Sequence, residues 1–162
     1  MNRNLKLVCV LTSILALASL GACKHSGVAV ASGGQIINIE IDAPNELAEN
    51  FETEELEVEI ANVGVNKLAD LEFTVEMPTE IVVLSQTQSP GVTWTERVTV
   101  GGTKLYHYVV NEVDAGSQAR VNYHVRTAFG ARDRTGDIKV TAWSDQLPGD
   151  RLIETEFIRL AD

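Results

Sequence analysis

The sequence predicts an all-β fold, a two-sheet antiparallel β-sandwich of about seven to nine strands. Three observations carry that expectation. Apolar residues recur at every second position in run after run, the signature of strands with one buried face. Clusters of turn-forming residues break those runs at fairly even spacing. The one helical candidate, Glu46 to Glu52, has no clean apolar face.

Taken in order, Ile37, Ile39 and Ile41 alternate with Asn38, Glu40 and Asp42. Leu56, Val58 and Ile60 then alternate with Glu55, Glu57 and Glu59, and Asn62-Val63-Gly64 supplies a turn. Leu71, Phe73, Val75 and Met77 alternate with Glu72, Thr74 and Glu76 before Pro78 interrupts. After Ser89-Pro90-Gly91, two strand-like runs flank Gly101-Gly102, which fits a two-residue hairpin because glycine accepts the positive φ of primed turns. Asp114-Ala115-Gly116 leads into Val121, Tyr123 and Val125, which alternate with polar residues. Ile138, Val140 and Ala142 repeat the pattern, Leu147-Pro148-Gly149 turns the chain, and Arg151 to Leu160 forms the last run. Acidic residues on the outer positions discourage edge-to-edge association. No internal repeat appears, so residues 35–162 read as one domain.

The N-terminal segment reads differently. Arg3 and Lys6 precede an apolar stretch from Leu7 to Leu20, shorter than the roughly 20 residues a permanent membrane helix needs. Charge, short apolar core and small residues at the end describe an export signal over residues 1–22. Its end, Leu20-Gly21-Ala22-Cys23, resembles the lipobox of bacterial lipoproteins: an aliphatic residue, two small ones, then cysteine. The resemblance implies cleavage before Cys23 and a covalent lipid on its thiol, with two or more acyl chains giving stable anchoring. No other cofactor is implied. Lys24 stands where an aspartate usually marks inner-membrane retention in Gram-negative lipoproteins, which favours the outer membrane. Residues 23–34 then serve as lipidated N-terminus and flexible tether; the glycine-rich part spans about 18 Å root-mean-square.

Charge and cysteine usage agree with an exported domain. The chain carries 13 basic and 23 acidic residues, a formal net charge of −10. Losing Arg3 and Lys6 with the signal takes the mature part to about −12, which repels phosphate backbones and argues against nucleic-acid partners. Of the two cysteines, Cys9 lies in the signal and Cys23 would carry lipid, so the domain folds without a disulfide.

The stretch Glu55 to Ser85 resembles the opening of an Ig-like module of bacterial surface proteins, the conserved-repeat family also called domain of unknown function 11. The residues carrying the resemblance are Asn62, Gly64, Leu71, Phe73, Val75, Pro78 and Val82, with Ala115, Gly116 and Ser117 matching a later turn. It implies an Ig-like sandwich over most of the domain. The single copy here departs from the tandem arrays common in the family, so a spacer role does not carry over.

Catalytic and metal motifs are missing. There is no Gly-x-Ser-x-Gly and no His-Glu-x-x-His. Val100 to Lys104 weakly resembles a phosphate loop but lacks its first glycine and following helix. His25, His107 and His124 are dispersed, and no third ligand converges with them. Asp133, Asp137, Asp145 and Asp150 lie in or near loops without calcium-loop spacing, and read as a solvated acidic surface.

The hairpin around Gly101-Gly102 has two partly apolar faces. One carries Trp94, Val98, Val100, Leu105, His107 and Val109; the other carries Arg97, Thr99, Lys104, Tyr106, Tyr108 and Val110. The family resemblance turns Tyr108 and Val110 inward, leaving Trp94, Val98, Leu105 and Val109 as an outward strip for partner docking. A reversed register would bury Trp94 and Leu105, and a bulge would bury parts of both faces. The whole suggests a non-enzymatic, membrane-anchored module for envelope protein interaction or assembly. The alternatives are a calcium- or small-ligand-binding surface lipoprotein and an accessory domain of an envelope enzyme.

Overall fold

A computed structural model describes residues 25–30, 36–48, 53–130, 134–147 and 151–161. Eleven strands lie within them: β1 (His25–Val30), β2 (Ile36–Asp42), β3 (Glu46–Ala48), β4 (Glu54–Asn62), β5 (Leu68–Pro78), β6 (Ile81–Gln88), β7 (Val92–Val100), β8 (Thr103–Val113), β9 (Gln118–Thr127), β10 (Arg134–Ser144) and β11 (Leu152–Ala161). They form an all-β two-sheet sandwich. One sheet has the order β1-β2-β4-β9-β6 and the other β3-β11-β10-β5-β8-β7. Neighbours are antiparallel except β3, which runs parallel to β11.

Alternation decides what is buried. Ile37, Ile39 and Ile41 of β2 and Leu56, Val58 and Ile60 of β4 point into the sandwich. They meet Leu71, Phe73, Val75 and Met77 of β5 and Ile138, Val140 and Ala142 of β10. Sealing each of these side chains from water, the small Ala142 apart, is worth about 1.5–3 kcal/mol. The glutamates between them stay at the surface.

Asn62 closes the turn after β4 and is itself buried. Its Nδ2 donates to the carbonyls of Asn66 (2.8 Å) and Val113 (2.9 Å), and its Oδ1 accepts from the Gly64 amide (3.1 Å). Gly101 and Gly102 hold φ of +59° and +86°, the primed-turn conformation expected of them.

One sequence expectation is corrected, and the helical candidate that the sequence already disfavoured takes the other form. The helical candidate does not form where it can be seen: Glu46–Ala48 is an edge strand, and the Asn45 carbonyl accepts from the Arg159 amide at 3.0 Å. Without an apolar face, a short helix has nothing to stabilise it, whereas the free edge of β11 offers hydrogen bonds. Residues 49–52 lie outside the described residues. Within the tether, His25–Val30 pairs antiparallel with β2 in unbroken register, from His25↔Ile41 to Val30↔Ile36. The free edge of β2 supplies the backbone partners that composition alone does not reveal. Cys23 and the signal lie outside the described residues.

Candidate functional site

β6 ends one sheet and β7 ends the other, and the Ser89-Pro90-Gly91 turn joins them, so consecutive strands form one side of the sandwich. β7 is threonine- and valine-rich, a composition that suits an extended, half-buried surface. Here it is barely buried: every residue from Thr93 to Val100 is exposed. It pairs with β8 alone, and its other backbone edge meets no strand among the described residues.

Each of the two edge strands contains an irregularity. In β6 the register shifts between Val83 and Ser85, leaving Leu84 out of the ladder and exposed. In β7 it shifts between Trp94 and Glu96, at Thr95. The second shift settles the hairpin's two faces. Val98 stands opposite Leu105 and Thr93 opposite Val109, so Val98, Leu105 and Val109 share the outer face of the sheet. Trp94, however, stands opposite Tyr108 on the core-facing side, and Arg97 stands opposite Tyr106. The strip read from the sequence is therefore divided: an extra residue flips every side chain beyond it. Leu105 and Val109 are half-buried, Val98 is 39% exposed and Trp94 49%. The Trp94 indole Nε1 donates to the Glu96 carbonyl at 2.9 Å, which fixes the ring at the rim.

The outer face holds the bulge in place. The Thr95 hydroxyl lies 2.9 Å from Nδ1 of His107 and 3.0 Å from its carbonyl oxygen. His107 Nε2 lies 2.9 Å from the Glu72 carboxylate, an acceptor, so this nitrogen carries a hydrogen and donates. The imidazole stacks on Trp143 (5.7 Å, 14°), and the Arg151 guanidinium lies 4.8 Å from the Trp143 ring centre. None of this chain across β7, β8, β5 and β10 was read from the sequence; the only signal was the Thr and His at mid-strand.

Beside it, Glu76, Glu96, Val98, Val100, Thr103 and Leu105 line an open groove of about 440 Å³. Its floor is apolar and its flanks carry carboxylates, with Glu76 held by Lys139 at 2.8 Å.

Behind β7 the core is aromatic. The hydroxyls of Tyr108 and Tyr123 are 2.7 Å apart, and the Tyr108 hydroxyl donates to Gln86 Oε1 at 2.9 Å, tying β8 to β6. Phe73 stacks on Tyr108 (4.9 Å) and Tyr106 meets Tyr123 edge-on (5.6 Å). Burial pushes the hydroxyls of Tyr108 and Tyr123 well above the ordinary tyrosine range. Burial also raises Tyr106, whose hydroxyl makes no well-formed hydrogen bond and has Arg97 as its charged neighbour. Lys104 is lowered by burial and then by Arg97, and its Nζ donates to the Ile81 carbonyl (2.8 Å) across the gap between sheets.

Among the described residues no group of three His, Cys, Asp or Glu side chains gathers as a metal site. Asp137 and Asp145 are exposed, while Asp133 and Asp150 lie outside the described residues.

No family model matches the chain, and no curated protein matches it. The likeness to the conserved-repeat module thus rests on Asn62, Gly64, Pro78 and the alternating residues around them. Solved structures do match in fold. A cohesin module from a family 33 glycoside hydrolase of Clostridium perfringens superimposes with a TM-score of 0.51 at 12% identity, covering 86% of this chain and 98% of that one. AvmM, which catalyses macrocyclization in alchivemycin A biosynthesis, gives 0.50 at 11% identity, covering 80% and 89%. A non-cellulosomal cohesin from Archaeoglobus fulgidus gives 0.47 at 10% identity, covering 75% and 90%. At these identities the resemblance is one of fold.

Proposed function

We propose that this chain is an exported lipoprotein, anchored through Cys23, whose sandwich binds an envelope protein along the open edge of β7. A partner segment adds there as a further strand, its backbone completing the β7 ladder and its apolar side chains entering the Val98–Leu105 groove. Beyond the bulge, Glu96 to Val100 run in regular register with β8, which keeps that stretch of edge straight. The observation that carries the reading is an edge strand exposed along nearly its whole length beside an apolar groove. Isolated proteins blunt such edges with bulges and charges, and β7 carries both at Thr95 to Arg97, which leaves Val98 to Val100 as the uncharged stretch next to the groove. The cohesin fold likeness is compatible with a binding module and adds no residue-level support.

Two experiments test it. Labelling with a fatty-acid precursor should mark the wild-type chain, and Cys23→Ser should abolish both label and membrane fractionation. A photo-crosslinking residue at Val98 should give one discrete adduct in intact cells, absent when the same residue replaces Val65 at the far end of the sandwich. Equal adducts at both positions would remove β7 as the docking edge.

A further inference from the structure

The direction of β1 fixes which end of the sandwich would face the bilayer, and the inference below rests on the lipoprotein reading of Cys23. His25 begins β1 and pairs with Ile41, next to the last residue of β2. Only Lys24 separates His25 from Cys23. Consecutive Cα atoms are about 3.8 Å apart, so the Cys23 Cα lies within about 8 Å of the His25 Cα. With β1 in the sheet, little free tether remains, and the acyl chains must emerge at this end.

The antiparallel order brings a particular set of turns there. The Thr79–Glu80 turn, the Gly101–Gly102 turn, the segment after β9 and the start of β10 all lie at the end where β2 finishes. Hydrogen bonds join them: the Thr79 amide donates to the Gly102 carbonyl (3.0 Å) and the Ala128 amide to the Glu80 carbonyl (2.7 Å). Arg134 pairs with Glu80 at 2.5 Å, which ties β10 to the same turn. Phe129 projects from this surface and is 83% exposed, the most exposed of the large apolar side chains described.

We infer that Phe129 inserts into the headgroup region of the bilayer that holds the Cys23 lipid. Lipid and ring make two contacts with one membrane, so the domain stands on this end with its strands rising from the surface. A phenylalanine ring is stabilised by burial at the boundary between headgroups and acyl chains, and a second contact strengthens a lipid anchor. The Val100 end of β7 then lies nearest the bilayer and its Val92 end farthest away.

The test uses the full processed protein in vesicles of phosphatidylethanolamine and phosphatidylglycerol bearing nitroxide-labelled acyl chains. Phe129→Cys and, at the opposite end, Val65→Cys each carry an NBD fluorophore; an acylated Cys23 leaves the new thiol as the sole labelling site. The expected result is a blue shift and loss of most of the emission at position 129, with position 65 unquenched. Acylated protein that floats with vesicles while position 129 stays unquenched overturns the inference alone, as does quenching at position 65 instead. Flotation that survives only with a protein partner on the vesicle, position 129 remaining unquenched, overturns it too. A mass spectrum without acyl groups on Cys23, together with failure to float, overturns the lipoprotein reading and this inference with it.

Discussion

Trp94 and Tyr108 stand directly opposite one another in the β7–β8 ladder, yet the tryptophan is half exposed while the tyrosine is sealed. Tyr108 lies one strand further in, where β6 and β9 of the facing sheet reach it through Gln86 and Tyr123. Trp94 lies on the outermost strand, where the facing sheet has ended. The same ladder therefore passes from structural core to open rim within one strand.

The tyrosine pair is the first test. Tyr108→Phe leaves the Tyr123 hydroxyl buried without its neighbour and should cost about 1–3 kcal/mol. Tyr123→Phe costs less, about 0.5–1.5 kcal/mol, because the Tyr108 hydroxyl keeps Gln86. Urea unfolding of the two variants should rank them in that order, and the double variant should fall short of the sum.

Alkaline pH is the second. All three tyrosines of the chain, Tyr106, Tyr108 and Tyr123, are buried with hydroxyls held above the ordinary 10.0. Above that value the unfolded chain loses protons that the folded chain retains, so stability is intact below about pH 10 and falls as pH rises further. Tyrosinate absorbance should appear together with loss of the β-sheet circular dichroism, in one step. Tyrosinate formed near pH 10 in a still-folded protein would contradict the packing.

Asn62 is the third. Asn62→Ala removes the donor that serves the Asn66 and Val113 carbonyls and should cost about 1–3 kcal/mol. Asn62→Asp places a carboxylate against the same carbonyls and should be worse at neutral pH. Thermal melts of both read the effect.

Gly136 is the fourth. A Cβ there would lie 2.7 Å from Pro78 Cγ and 3.5 Å from Leu160 Cδ1, inside a closed ring-to-backbone contact. Gly136→Ala should lower stability by about 1–3 kcal/mol through overpacking, measured as a reduced urea midpoint.

The strands with strict alternation were legible because burial of one face dictates the pattern: Leu71, Phe73, Val75 and Met77 are all sealed, as their spacing requires. The Gly101–Gly102 turn was legible for a local reason, its positive φ. β1 was hidden, since His25–Val30 is largely small residues and its pairing depends on the free edge of β2. The bulge at Thr95 was hidden as well. Nothing local marks it, because it is held by a cross-strand contact with His107, itself set by Glu72 and Trp143. That one displaced residue is why Val98 and Leu105 came together as read and Trp94 did not join them.

Backbone hydrogen exchange along β7 tests the docking edge most directly. The lipidated protein is labelled in native envelope vesicles and, separately, after purification into detergent. Addition of a partner strand predicts slower exchange over Glu96–Val100 in the envelope, with the loop around Val65 exchanging alike in both. Equal exchange of β7 in the two preparations would contradict the claim that this edge is occupied when the protein works.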